Sequence, residues 1–209
     1  MALCSAPVQA RCLACRRAEY GPFSRIGGQN DSAQYHPGQF GWSHINSREY
    51  QLHGEGRVLA TLKIDDDLDA SMTGEGETHK WTFKRMGLFR FSVSVLAECA
   101  GVNCATLVES SAGEYRVLFP SGQSLRWKRT LNQSREEWGF FDSTGTALIV
   151  FAPKVIDSEC RASVHVSAAG RTLSNLDLLV LLGWYIFVTK YRDAAFKSAM
   201  ITAMAWGTT

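Results

Sequence analysis

The sequence of 209 residues lacks the compact motifs that announce a chemistry. It has no G-x-S-x-G elbow, no P-loop, no G-x-G-x-x-G and no H-E-x-x-H. The five histidines, His36, His44, His53, His79 and His165, are scattered and form no close pair. A Ser/His/Asp triad assembles in space and leaves no sequence-local trace. The residues therefore point to a non-enzymatic protein with no cofactor and no metal. Strong charge of either sign is also lacking. A formal net charge of +2 gives no bulk electrostatic case for nucleic acid as a partner. Met1–Ala14 contains no apolar stretch of signal-peptide type, and Arg11, Arg16 and Arg17 follow or interrupt it. The expected location is the cytoplasm, with free thiols.

The six cysteines are Cys4, Cys12, Cys15, Cys99, Cys104 and Cys160. They are unevenly spread along a chain too long to need a disulfide framework. Cys12 and Cys15 with Cys99 and Cys104 offer four thiolates that suit zinc in number. The first pair lies in a tail-like segment without a tight-turn glycine, so reduced thiols are the simpler reading. Asp65, Asp66, Asp67 and Asp69 are dense enough in oxygen to suggest calcium. The glycine and terminal glutamate of an EF-hand loop are missing at the required spacing, and a solvated turn explains the run.

What is present is alternation. Aromatic residues make up 11% of the chain, with six Trp, and large flat side chains favour strands and wide β cores. Residues 1–35 read as a tail, and Gly21–Gly41 as loop. From Glu49 onward Tyr50 and Leu52, then Val58, Ala60, Leu62 and Ile64, recur with a period of two, which makes one buried and one wet face.

Three hairpins can be registered by their side chains. Around Pro120-Ser121-Gly122 the expected pairs are Val117 with Leu125 and Tyr115 with Trp127 inside, and Glu114 with Lys128 and Arg116 with Arg126 outside. Around Ser143-Thr144-Gly145, Trp138 and Phe140 are expected to face Val150 and Leu148. Around Met86-Gly87-Leu88, Trp81 and Phe83 are expected to face Val93 and Phe91, which brings Lys84 and Arg90 together outside. With Ala105–Glu109, Ala162–Val166 and the earlier runs, about twelve strands result. Closure into a barrel would remove the exposed edges of so large a sheet.

After the strands, Ser174 and Asp177 form an S-x-x-D capping box. From Leu178 to Thr189 the chain then runs twelve residues without a charge. Every helical face is apolar, so the helix must be surrounded on all sides. A bilayer span needs about twenty such residues, and by length this is a buried core helix over 176–191. Insertion of Leu173–Tyr191 in a membrane remains an alternative, opposed by the central position of Trp184 and Tyr185. Residues 192–209 read as a weakly amphipathic helical extension.

The segments "HKWTFKRMGLFRFSV", "EYRVLFPSGQSLRWKR", "EEWGFFDSTGTALIVF" and "LDLLVLLGWYIFV" together resemble the tubby C-terminal-like superfamily. That superfamily comprises tubby domains, phospholipid scramblases and LURP-one-related proteins. The resemblance covers residues 45–191 and implies a mainly β fold, a closed antiparallel barrel of about twelve strands wrapped around a C-terminal hydrophobic helix. Residues 36–191 would form it. The proline-rich and palmitoylated-cysteine features of scramblases are absent, so binding is implied more than lipid scrambling. The implied partner is an anionic phospholipid or membrane surface.

The alternation turns Lys80, Lys84, Arg90, Arg116, Arg126 and Lys128 outward, with Arg85 and Arg129 at strand or turn ends. Lys84, Arg90, Arg116, Arg126 and Lys128 are the candidate headgroup ligands, since clustered cations near an anionic surface contribute about 1 kcal/mol each. Outward charge equally serves to discourage edge pairing, and Glu114 would offset part of it. An intracellular protein-interaction or structural domain without lipid affinity is thus the competing reading.

The buried helix carries a direct consequence. Leu181→Asp is expected to place an unpaired carboxylate among apolar strands and to cost several kcal/mol. An unchanged melting temperature in a thermal unfolding scan would contradict a central helix.

Overall fold

The computed structural model describes residues 39–190, apart from 47, 55, 65–70, 77–78, 87–90, 100, 112, 133–134 and 157–158. Alternating residues build the strands β1 (Gln39–Asn46), β2 (Glu49–Gly54), β3 (Arg57–Ile64), β4 (Ser71–Gly76), β5 (Lys80–Met86) and β6 (Ser92–Ala97). They continue as β7 (Asn103–Ser111), β8 (Glu114–Leu118), β9 (Ser124–Asn132), β10 (Arg135–Phe141), β11 (Ala147–Ile156) and β12 (Glu159–Val166). A short 3-10 turn, Gly170–Thr172, follows, and then helix α1, residues 176–190.

Every strand pairs antiparallel with its sequence neighbours, and β1 also pairs with β12 through Phe40 opposite Val164 and Trp42 opposite Ala162. The order of pairing returns on itself as a closed barrel. The inward rows include Leu52, Leu62, Phe83, Val95, Leu107, Val117, Trp127, Phe140, Ile149 and Val164, all buried.

β1 begins inside the stretch Gly21–Gly41 that reads as loop. Gly41 interrupts the sequence pattern, yet Phe40 and Trp42 on either side are buried between β2 and β12. The expected tail and C-terminal extension, 1–35 and 192–209, lie outside the described residues.

The first hairpin has the expected register: Tyr115 faces Trp127, Arg116 faces Arg126 and Val117 faces Leu125. Gly122 takes the left-handed φ of 84° that this loop requires. The second is offset by one residue. Trp138 faces Phe151 and Phe140 faces Ile149, with an irregularity between Phe140 and Phe141. The cause is the wider loop after it, where the Asp142 carboxylate accepts hydrogen bonds from the Thr144 N–H (2.9 Å), the Thr144 hydroxyl (2.6 Å) and the Thr146 N–H (2.9 Å). Such side-chain-to-backbone bonding competes with a tight two-strand ladder. The third hairpin is offset by more. Trp81 faces Ala97, Phe83 faces Val95, and Lys84 faces Ser94 and not Arg90, which lies outside the described residues. The shift is even, so the same side chains still point inward.

Helix α1 fills the barrel. From Leu176 to Thr189 every residue except Phe187 is buried. The Leu179 N–H donates to the Asn175 carbonyl, which puts the N-cap at Asn175, one residue beyond the expected Ser174. Trp184 stacks on Trp42 of β1 (centroids 5.3 Å) and meets Tyr50 of β2 edge-on (5.9 Å), while Tyr185 stacks on Phe83 of β5 (5.2 Å). On the remaining side Gly183 lies against Phe151 of β11 and Trp127 of β9. The helix therefore touches strands around the circumference.

The antiparallel order gathers the β1–β2, β3–β4, β5–β6, β7–β8, β9–β10 and β11–β12 connections at one mouth of the barrel. The C-terminal turn of α1 reaches that mouth, where Lys190 meets Tyr115 and Trp138.

A Cβ on Gly183 would overlap the Phe151 ring and lie 3.0 Å from Trp127 Cζ3. Phe151 is itself wedged against Trp127 and Phe140 (centroids 5.3 and 6.3 Å), so it has no free direction in which to yield. Alanine would gain up to about 1 kcal/mol in helix propensity, against an overpacking cost of about 1–3 kcal/mol. Gly183→Ala should lower the denaturation midpoint, measured by urea unfolding, although it improves the helix.

Candidate functional site

Two places concentrate charge that the core does not use. The first is the outer face of β8 and β9. Arg116 is exposed and lies directly opposite Arg126. Arg126 is partly covered, its Nη2 donating to the Asp142 carbonyl at 3.3 Å, while its Nε is buried without an acceptor. Two positions along β9, Lys128 holds its Nζ 4.8 Å over the ring of Phe141 on β10. Phe141 is only 7% exposed on that outer face, because the cationic side chains cover it. Like charges directly opposite each other destabilise a strand pair. Among the described residues none of these three cations has a carboxylate in ion-pair contact.

Lys84 is exposed on β5 and does not join them. Strands β6 and β7 intervene and present Ser94 and Thr106 in its row. Three inter-strand spacings correspond to about 14 Å, beyond the ~8–10 Å over which salt screens exposed charges. The expected row of five ligands thus reduces to Arg116, Arg126 and Lys128, with Lys84 apart and Arg90 undescribed. Arg129, expected at a strand end, lies 3.7 Å from Glu136.

The second place is the mouth at the end of α1, which the sequence does not disclose. Lys190 Nζ stands 4.3 Å over the Tyr115 ring and 4.9 Å over the Trp138 ring. Burial pulls its pKa below the ordinary lysine value, and the negative charge of Glu109 partly opposes that. Tyr115 is pushed up to about 12, chiefly by burial, then by Glu109, with Arg85 acting in the opposite direction. Arg85 in turn sits 5.3 Å from the centroid of Phe91, which packs edge-on against Tyr115. Glu136 accepts a hydrogen bond from Trp138 Nε1 at 2.8 Å. The only sequence signal for this cluster is that Lys190 is the first charge after the apolar run.

The remaining candidates stay apart. Cys99 is exposed and Cys104 half-buried, and neither is in a disulfide, while Cys12, Cys15 and the aspartates 65, 66, 67 and 69 fall outside the described residues. No group of three or more His, Cys, Asp or Glu among the described residues is arranged to hold a metal. No described helix is long and apolar enough to cross a membrane. No protein-family model, curated protein or solved structure matches the chain.

The environment of Tyr115 is measurable. Its folded pKa lies above the unfolded value near 10, so its neutral form is favoured in the fold. Its contribution to stability is fully present below pH 10 and is lost as pH rises from 10 through about 12, on the order of 2 kcal/mol in all. Ultraviolet titration of the phenols should show absorbance that develops near pH 12 and is lost in Tyr115→Phe. Loss in that variant of absorbance developing near pH 10 instead would contradict the packing.

Proposed function

We propose that this domain is a non-enzymatic, tubby-like binding module that docks an anionic phospholipid surface from the cytoplasmic side through the outer face of β8 and β9. The observation that carries this reading is the direct opposition of Arg116 and Arg126, with Lys128 beside them and, among the described residues, no carboxylate in ion-pair contact with any of the three. An anion laid across the two strands would relieve that repulsion, and arginine suits phosphate through its planar fork. The tubby-like assignment is supported by an antiparallel strand order that follows the sequence and by the apolar helix that the strands contact on several sides.

A second reading, a protein-interaction domain without lipid affinity, is favoured by one observation: Arg126 and Lys128 are partly committed to the barrel's own Asp142 carbonyl and Phe141 ring.

Flotation with liposomes of neutral phosphatidylcholine, with and without an anionic phosphoinositide, separates the two. The protein should float only with the anionic lipid, at low salt more than at high salt. Three cations at about 1 kcal/mol each correspond to roughly a hundredfold in partitioning. Arg116→Glu with Lys128→Glu should abolish recovery, and Lys84→Glu alone should change it little. Equal recovery on both liposome types, or no loss in the double variant, would overturn lipid docking in favour of the second reading.

A further inference from the structure

We propose that the barrel mouth at the end of α1 is a binding site for a small amphiphile consisting of a short apolar or aromatic body with one carboxylate. A pocket of about 170 Å³ opens there, lined by Trp127, Glu136, Trp138, Ile186, Phe187 and Lys190. An apolar cavity of roughly 150 Å³ is large enough to hold one benzene ring, so the space suits a single ring or a short alkyl chain. Trp127 and Trp138 lie nearly parallel in its wall, with centroids 6.1 Å apart and planes at 21°. A flat or slender body fits such walls better than a bulky one.

Charge selects the head group. Lys190 has its ammonium against two ring faces and makes no ion pair with any carboxylate among the described residues. Glu136, the other charged lining residue, is already engaged by Trp138 Nε1 and Arg129. The lysine is therefore the uncommitted charge of the lining. A cationic ligand is disfavoured, because the ring faces that would receive it already hold Lys190. Trp127 Nε1 is buried without an acceptor, as are the Nε1 groups of Trp42 and Trp184, so the head group is selected by the partly desolvated ammonium of Lys190 alone. Burial lowers the pKa of Lys190 and the charge of Glu109 opposes that only in part, without an ion pair, which leaves room for a carboxylate in direct contact.

This inference does not rest on lipid docking at β8 and β9. The test is isothermal titration calorimetry on the full chain with phenylacetate and octanoate, each beside its neutral amide. The carboxylates are expected to bind at least about tenfold more tightly than the amides, the difference a charge-assisted hydrogen bond makes. Lys190→Met keeps the apolar stem and should erase that preference while leaving amide binding and liposome flotation unchanged. Phe187→Ala should weaken carboxylate and amide alike. If that variant fails to fold, Lys190→Met decides by itself. The proposal is overturned if neither carboxylate binds, if acid and amide bind equally, or if Lys190→Met keeps the preference.

Discussion

A helix that is apolar on every face tolerates no exposed side, and the structure is organised around that constraint. From Leu178 to Ile186 each helical residue is buried. One sheet face covers only one side of such a helix, so the wall must continue around it. Consecutive antiparallel hairpins achieve this with short connections, and the β1–β12 pairing removes the last open edges. The aromatic rings set the diameter. Trp42, Trp127 and Trp184 are fully buried although their Nε1 groups find no acceptor. Burying roughly 200 Å² of each ring contributes at most about 5 kcal/mol, against about 1–3 kcal/mol for an unmet N–H, so packing outweighs hydrogen bonding here.

The same constraint accounts for Gly183 and Lys190. A wide wall of Trp and Phe leaves some places where a ring meets the helix backbone, and Gly183 is one because Phe151 occupies the volume of a side chain there. Lys190 marks the level at which the helix leaves its apolar surroundings. Its stem remains among Tyr115, Trp138 and Phe187 while its ammonium lies against the ring faces. Cations near a helix C-terminus also complement its dipole. The cost of partial burial is offset by the ring faces and in part by the charge of Glu109, and no described carboxylate forms an ion pair with the ammonium.

Much of the fold was legible because its signals are local. The alternation of Tyr115, Val117, Leu125 and Trp127 about Pro120-Ser121-Gly122 specified both the pairing and the faces. Where a turn was built by side-chain chemistry, the register was not legible. Asp142 draws the Thr144 and Thr146 amides onto its carboxylate and displaces the β10–β11 ladder by one residue. β1 and β4 were nearly silent. Gly41 interrupts the first, and Gly74 and Gly76 thin out the second, so each is a strand because its neighbours need a partner. The β8–β9 cations could be placed outward by parity alone. The separation of Lys84 from them required knowing that two strands intervene. The cluster at the mouth joins β7, β8, β10 and the helix end, positions far apart in the chain, and no sequence spacing encodes it.

A filled barrel restricts what such a protein can bind. Deep cavities of the kind enzymes and large-ligand carriers use are displaced by the helix, so recognition is confined to the outer strands and the mouths. The two charged places differ physically in consequence. On the outer face, Arg116 is in water, and its attraction for an anion is long in reach, weak per contact and sensitive to salt. At the mouth, Lys190 is partly desolvated among aromatic rings, where attraction is short in reach and less screened. The first arrangement suits an extended charged surface. The second suits a single small anion with an apolar body, and both follow from where the buried helix stops.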